Sequence, residues 1–394
     1  MGGTLNSIYN NLSYALGLHT SVLSRLQEQA ATGSRINRTS DDPPAAHRVL
    51  GLTSQKRSLE NYMDSVTQAT STLEMSLAVV EEMISAFTEA KVLLTQIVSG
   101  IYTEHGMERA AEQVNDTLEH MVSLANTKHL NEFLFGGSDT DSAPYLAERT
   151  DGEITKVTYQ GGFEDRQIEV SPGVWSSAFY VGDEIFRSND RSAPVFVGGT
   201  GAKAGTGTSS IRGDAWLTVT GSPGNYSLSL DDGLTTATTD GTDTNLAVTD
   251  SRTGEVLYVD TTAITSTGVD MVRVSGTYDV FGALISVRDI LKNSRELSDA
   301  QMKELRDSSI AVLEEVRSFL TEKSVSIGSR IGFLEDLKQT VERIKFGAED
   351  EATMLQEADI TQIAIDISKH DVLYQMSLSV AGRLVSMSLL DFIK

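Results

Sequence analysis

The sequence predicts an α+β multidomain protein: a long antiparallel α-helical coiled-coil rod formed by both chain ends, with an inserted all-β domain. Three observations lead there. Apolar residues recur every three or four positions at both ends of the chain, the spacing of helical stripes. Residues 139–278 lose that period and become rich in Gly, Thr, Ser and Asp, with short alternating runs. The outermost helical segments carry few charges, whereas an ordinary surface helix has a charged outer face.

Residues 1–32 contain two charged side chains, Arg25 and Glu28. Their apolar positions fall in two registers: Leu5, Ile8, Leu12, Ala15, His19, Val22, Leu26, and Tyr9, Leu12, Leu16, His19, Leu23, Leu26, Ala30. Two adjacent seams on one helix predict packing against more than one neighbour. Gly33 supplies a stop. In the stretch RINRTSDDPPAAHRV (35–49), Ser40, Asp41 or Asp42 can accept from the free N–H groups of a following helix. Pro43 and Pro44 suit its first turn, where a missing donor does no harm. The restarted helix keeps a stripe from Leu59 through Val66, Leu73, Val80 and Phe87 to Ile101. A break is expected at His105-Gly106, before a helix with Val114, Leu118, Met121 and Ala125 on one face. FLFGGSDTDSAPY (133–145) then ends the helical zone with glycines, short polar residues and a proline.

The middle reads as strands joined by tight turns: KVTYQ, RQIEV, AWLTVTG, YSLSL and EVLYVD. GGTGAKAGTGTSS (198–210) reads as a linker between two β subdomains, with a soft boundary near residue 195. Helix returns at about Val280, and Leu313, Leu320, Ile327, Leu334 and Val341 form a strict heptad series. A last, sparsely charged helix follows, with Ile360, Ala364, Ile367, His370, Tyr374, Leu378, Ala381 and Val385 in register. The expected division is therefore 1–42 with 359–394 as a terminal assembly coiled coil and 43–138 with 279–358 as a helical rod. Residues 139–194 form a β domain, and 195–278 a second β subdomain or insertion.

Composition excludes several function classes. With 55 acidic against 32 basic residues and a net charge of −23, no Lys/Arg stripe is available to displace counterions from nucleic acid. There is no cysteine, hence no disulfide or thiolate metal site. No run approaches the roughly 18 consecutive apolar residues of a membrane span. The N-terminus lacks the basic and apolar regions of a cleaved secretory signal. Six histidines are scattered, none in an HExxH motif; His19 and His370 read as polar seam residues. The Asp clusters at 139–141 and 231–243 lack the spacing of a calcium loop and read as β-turns. GTGAKAG is not followed by the helix that a phosphate loop requires. No catalytic, cofactor or metal residues are assigned, and no enzyme is expected.

The seams of the two end helices then stand as the candidate site. Ordering thirty backbones outweighs what one isolated apolar stripe returns, so neighbouring subunits are expected to cover the seams. A monomeric bundle is the competing reading, and the uncharged Asn, Ser, Thr and Gln outer faces argue against it. The expected interface comprises Leu5, Ile8, Leu12, Leu16, Val22 and Leu26 at one end. At the other it comprises Ile363, Ile367, Tyr374, Leu378, Ala381 and Val385.

GSRINRTSDDPPAA resembles the signature of the bacterial flagellin superfamily at the junction of its first two helical segments. Flagellins proper usually continue DDAAG; the proline at Pro43 is more similar to the hook–filament junction family. FLFGGSDTDSAPY resembles that family's lead-in to its β domain, and VTYQGGFEDRQIEVSPGV with VGDEIF (181–186) resembles the strands that follow. SIGSRIGFLEDL (326–337) is similar to a long helix shared across the superfamily. The ending MSLLDFIK resembles the junction family more than flagellin, although Phe133 and Leu390 vary the pattern. The resemblance covers about 1–190 and 280–394 and implies a domain-junction motif at Arg35, Ile36, Asn37, Asp41, Asp42 and Pro43. It implies an extracellular structural protein between flagellar hook and filament, exported unfolded by the flagellar type III apparatus with an export chaperone. The implied partners are a hook-side hook-associated protein (type 1), flagellin and further copies in a ring. No cofactor, nucleic acid or membrane insertion is implied. Alternatives are a flagellin-like filament subunit and a ligand- or glycan-binding β insertion on a flagellar scaffold.

Overall fold

The computed structural model describes residues 2–100, 103–293 and 295–392, and side chains for all of these but 2–9, 104 and 384–392. The chain opens with helices α1 (Gly2–Thr32), α2 (Pro43–Ser99) and α3 (Glu104–Ala125). Short strands β1 (Lys128–His129) and β2 (Glu132–Phe133) follow, then hairpin strands β3 (Tyr145–Thr150), β4 (Glu153–Tyr159), β5 (Arg166–Ser171) and β6 (Val174–Phe179). The one-turn helix α4 (Gly182–Phe186) precedes β7 (Val195–Val197), β8 (Lys203–Ala204), β9 (Gly213–Ser222) and β10 (Asn225–Ser229). After β11 (Ala237–Thr239), β12 (Leu246–Thr249), β13 (Val256–Asp260) and β14 (Gly268–Val274), helix returns. It does so as α5 (Val280–Lys292), α6 (Asp299–Gln356) and α7 (Ile360–Phe392). This is the expected class: long helices at both ends around antiparallel sheets.

Two compact units divide the chain, residues 1–64 with 337–394 and residues 65–336. In the first, α1 lies against α7. The start of α2 runs antiparallel to the end of α6, as the pairs Arg48–Glu351 (2.6 Å), Lys56–Glu349 (2.7 Å) and Lys345–Glu60 (3.2 Å) record. These pairs are solvent-exposed and fix register more than stability. The apolar side chains do the holding: Val49, Leu52, Leu59, Val341 and Ala348 are all buried.

In the second unit the heptad residues Leu313, Leu320, Ile327 and Leu334 are fully buried, as are Val66, Leu73, Val80 and Phe87 of α2. Lys91 meets Glu314 at 2.6 Å, and that carboxyl, bonded by Arg317 and Lys91, is held down at about 2. Helices α3 and α5 pack on each other and on β4. Buried Arg288 of α5 donates to Asn115 Oδ1 (3.0 Å) and to the Ile154 carbonyl (2.5 Å), tying both helices to the hairpin. Beyond it, five strands in the order β11-β10-β9-β14-β7 face three in the order β12-β13-β8. Their inward residues, among them Leu217, Leu228, Val259 and Val272, form one buried core. Strand β14 also lends Met271 to a cluster with Ile290, Met302 and Leu305 of α5 and α6. Arg273, buried beside it, bonds Ser308 and Ser309 of α6.

Three local expectations are corrected. Helix α2 ends at Ser99 and α3 begins at Glu104, so His105 and Gly106 lie in the first turn of α3. Ile101, the expected end of the α2 stripe, lies outside the described residues. VGDEIF forms α4 rather than strand. Helix returns at Val280 as expected, and Asn293, in a left-handed conformation (φ +49°), ends α5. Residues 198–210 are no linker. Thr200, Ala202 and Ser209 are buried, β8 pairs with β13, and a Cβ at Gly207 would stand 2.4 Å from the Tyr258 ring.

Candidate functional site

The residues singled out by sequence fall in two adjoining places, the joint after α1 and the α1–α7 pair. At the joint, α1 ends because Gly33 takes φ +68°, a conformation that costs other residues, and its N–H returns to the Gln29 carbonyl at 2.9 Å. The chain then crosses the corresponding break between α6 and α7. Ser34 and Glu357 form an antiparallel bridge; the Arg35 N–H donates to the Gln356 carbonyl (2.6 Å) and the Ala358 N–H to the Gly33 carbonyl (3.1 Å). Each break satisfies the other's backbone groups, which a helix end otherwise leaves open.

Side chains complete the joint. Of the three possible caps for α2, Asp42 is the one used: its Oδ1 accepts from the Ala45 N–H at 3.2 Å. That amide and the Arg35 guanidinium hold its carboxyl below the usual range. Asp41 accepts instead from the Asn37 and Arg38 amides at 3.1 and 2.8 Å, shaping the turn before the cap. Arg35 reaches both sides, pairing with Asp42 at 2.8 Å and donating to the Leu355 carbonyl at 3.2 Å. Asn37 donates to the Ser34 carbonyl and accepts from Thr32, while Ile36 accepts from the Ser34 hydroxyl. Pro43 opens α2, as its fixed φ and missing donor allow. Asp359 caps α7 through the Thr361 and Gln362 amides.

The paired helices run antiparallel from this joint. Leu26, Ala358 and Ile363 are buried together, with Val22 and Ile367 against them. Farther out, the Nδ1 atoms of His19 and His370 lie 3.2 Å apart across the seam. Leu12, Leu16, Tyr374 and Ala381 are half-buried, and Leu378 is 54% exposed. Ser377 occupies the seam-side position instead: a 3.5-residue repeat separates Tyr374 from Ser377 and Ala381, and Leu378 turns outward. Leu5, Ile8 and Val385 lie outside the residues whose side chains are described.

Sequence periodicity missed the other faces of this pair. Tyr14 (75% exposed) and Leu18 on α1 point away from the seam, as do Ile365, Val372, Met376 (61%) and Val380 on α7. Among the described residues these side chains stand exposed, on helices that carry few charges. Exposed apolar side chains on such helices make them the candidate contact surface. Neither register contained them; the only signal in sequence was the scarcity of charges on the two end segments. Among the described residues no group of three or more His, Asp or Glu is placed to hold a metal, and no helix is long and apolar enough to cross a membrane.

Residues 4–140 match the bacterial flagellin N-terminal helical region. Flagellar hook-associated protein 3 of Escherichia coli K12 is 26% identical over 162 residues, 41% of this chain and 49% of the relative. The protein of the same description from Salmonella typhimurium is 25% identical over 165 residues, 42% and 50% of the two chains. The match thus spans about half the length of these curated relatives. Among solved structures, Xanthomonas campestris FlgL superposes with a TM-score of 0.52 at 17% identity, covering 76% of this chain and 98% of that one. The flagellar hook-associated protein 3 of Legionella pneumophila gives 0.53 at 12% identity, covering 77% and 98%. At such identities these structures speak to the fold.

Proposed function

We infer that this chain, which belongs to the flagellin superfamily, is a structural subunit of the bacterial flagellum that joins hook to filament. One observation supports this above the others: the α1–α7 pair buries a seam within the chain and leaves a second apolar surface bare. A subunit of an axial assembly needs both. The seam sets the geometry of the pair, and the bare faces are then covered by neighbouring copies and by unlike proteins above and below. In this reading residues 1–42 with 359–394 form the assembly domain and 43–138 with 279–358 the helical domain that carries two β regions, 139–194 and 195–278. The subunit acts outside the cell and leaves it through the flagellar type III apparatus with an export chaperone. Its partners are further copies in a ring, a hook-side hook-associated protein and flagellin. It performs no catalysis.

The alternative is a flagellin-like subunit that polymerises indefinitely. A filament protein repeats one head-to-tail interface without closing, whereas a junction protein meets unlike partners at its two axial faces. Pro43, the FLFGG stretch at 133–137 and the LLDFIK ending favour the junction reading. Electron microscopy of the purified chain seeded with filament fragments separates the two. The junction reading expects no long filaments, only binding at the hook-side end of the seeds. Micrometre-long filaments of this chain alone would establish the flagellin alternative.

A further inference from the structure

The corner between α5 and α6 is one place where the rod meets the second β region, and its backbone is strained. Asn293 (φ +49°) and Glu296 (φ +54°) are left-handed, a conformation that Asn tolerates and Glu does not favour. Within the corner, the Asn293 side chain accepts from the Leu297 N–H (2.8 Å) and donates to the Leu297 carbonyl (3.1 Å). The Glu296 N–H donates to the Asn293 carbonyl at 3.0 Å. These bonds close the turn on itself. Arg295 ties it to the insert: its guanidinium lies over the Trp216 ring of β9, 4.9 Å from the centroid, and donates to Asp232 Oδ1 at 2.8 Å. Arg252 donates to the other carboxylate oxygen at 3.0 Å. We propose that Trp216 and Asp232 are a clasp on Arg295, through which the second β region braces the strained corner and the start of α6.

An isolated exposed ion pair contributes little. Here one carboxylate serves two guanidiniums, and one of these is stacked on indole, the strongest aromatic partner for a cation. The Arg295 side chain is 27% exposed, so part of this network is shielded from water. The loop that presents Asp232 is itself firmly bonded. Its neighbour Asp231, fully buried, accepts from the hydroxyls of Ser229, Thr235 and Ser251 and from the Thr235 and Ser251 amides. Asp232 follows at φ +58°, so the loop holds an unfavourable backbone to aim that carboxylate. Beside the clasp, Leu297 packs with Trp216 on Met271, Ile290, Met302 and Leu305. That packing keeps the β region seated when the clasp is cut, so the loss should fall on the corner. The insert's own core, which includes Leu217, Leu228, Val259 and Val272, contains no part of the clasp.

Hydrogen exchange on the full chain tests this, read at 293–305 and, for comparison, at 217–230 in the insert's core. Asp232→Asn keeps a residue that tolerates the left-handed backbone, and Arg295→Gln keeps a polar side chain. Each should speed corner exchange about tenfold and core exchange by less than about twofold. Arg252→Gln, which leaves the Arg295 contact in place, should change the corner by less than about threefold. The double variant Asp232→Asn/Arg295→Gln should lose no more than the worse single variant, because both substitutions cut one contact. Salt gives a reading on the wild type alone: about 1 M, with a screening length of roughly 3 Å, should speed corner exchange about threefold. Corner exchange unchanged by both single variants, or by salt, overturns the proposal. A double variant whose loss is the product of the two single losses overturns it too. So does exchange that rises equally in corner and core, since the contact would then support the whole unit rather than brace the corner.

Discussion

At the scale of single residues, the chain's local stops and starts are where conformation is most constrained. Gly33 sits at φ +68° with no heavy atom within 4 Å of where a Cβ would be. The cost of a side chain there is conformational alone. Gly33→Ala should destabilise the unit formed by 1–64 and 337–394 by about 1–2 kcal/mol, measured by denaturant unfolding. In the second β region Asp231 is fully buried. Burial by itself would raise its carboxyl, but the hydroxyls of Ser251, Thr235 and Ser229 and the Thr235 amide outweigh it and hold it far below the ordinary carboxylate range. A carboxyl lowered on folding stabilises above its unfolded value, about 3.9, and that contribution fades as pH falls below it. Trp216 fluorescence of Asp231→Asn should show weaker folding at neutral pH and a flatter acid limb than wild type. The DDPP stretch was legible as a capped restart, yet its cap was not. Asp41 and Asp42 are interchangeable by pattern, and only the turn that commits Asp41 to Asn37 and Arg38 leaves Asp42 for the helix.

At the scale of elements, helical stripes are the most readable feature because one period repeats over many turns. The five heptad residues from Leu313 to Val341 are all buried. Ile327→Ala, in a fully buried position, should cost about 2–5 kcal/mol in unfolding experiments. Phase is harder to read than period. Leu378 belongs to an apolar series by spacing, yet Ser377 takes the seam side and Leu378 faces out. The pair therefore gives a contrast. Leu26→Asp buries an unpartnered carboxylate in the seam and should lower protection across α1 and α7 in the free chain, at a cost of several kcal/mol. Leu378→Asp should leave melting of the free chain unchanged while abolishing flagellar filaments in a motile strain. Equal loss of folding in both would make Leu378 part of the chain's own core. Short elements escaped the sequence for a physical reason. Helix α4 is one turn long, and the α5 stop at Asn293 uses a residue that tolerates left-handed geometry without announcing it.

At the scale of the whole molecule, the class of fold was readable from where each period begins and ends. Helical ends enclosing a strand-rich middle leave few other arrangements. The glycine-rich stretch at 198–210 was not readable, because glycine marks both a flexible linker and a backbone pressed against a ring. Here Gly207 lies against Tyr258 and Gly205 against the Tyr258 backbone, a tertiary fact that composition does not contain. The partners of the bare faces on α1 and α7 are a property of the assembly, and sequence gives only their apolar character. The proposed role of this chain is to link a hook to a filament through those ends. Its most direct test is deletion of the gene in the motile source strain, with hooks viewed by electron microscopy and flagellin assayed in the culture medium. A junction protein predicts intact hooks without filaments and flagellin shed unpolymerised into the medium. Filaments of normal length and number on the deletion strain would contradict the claim.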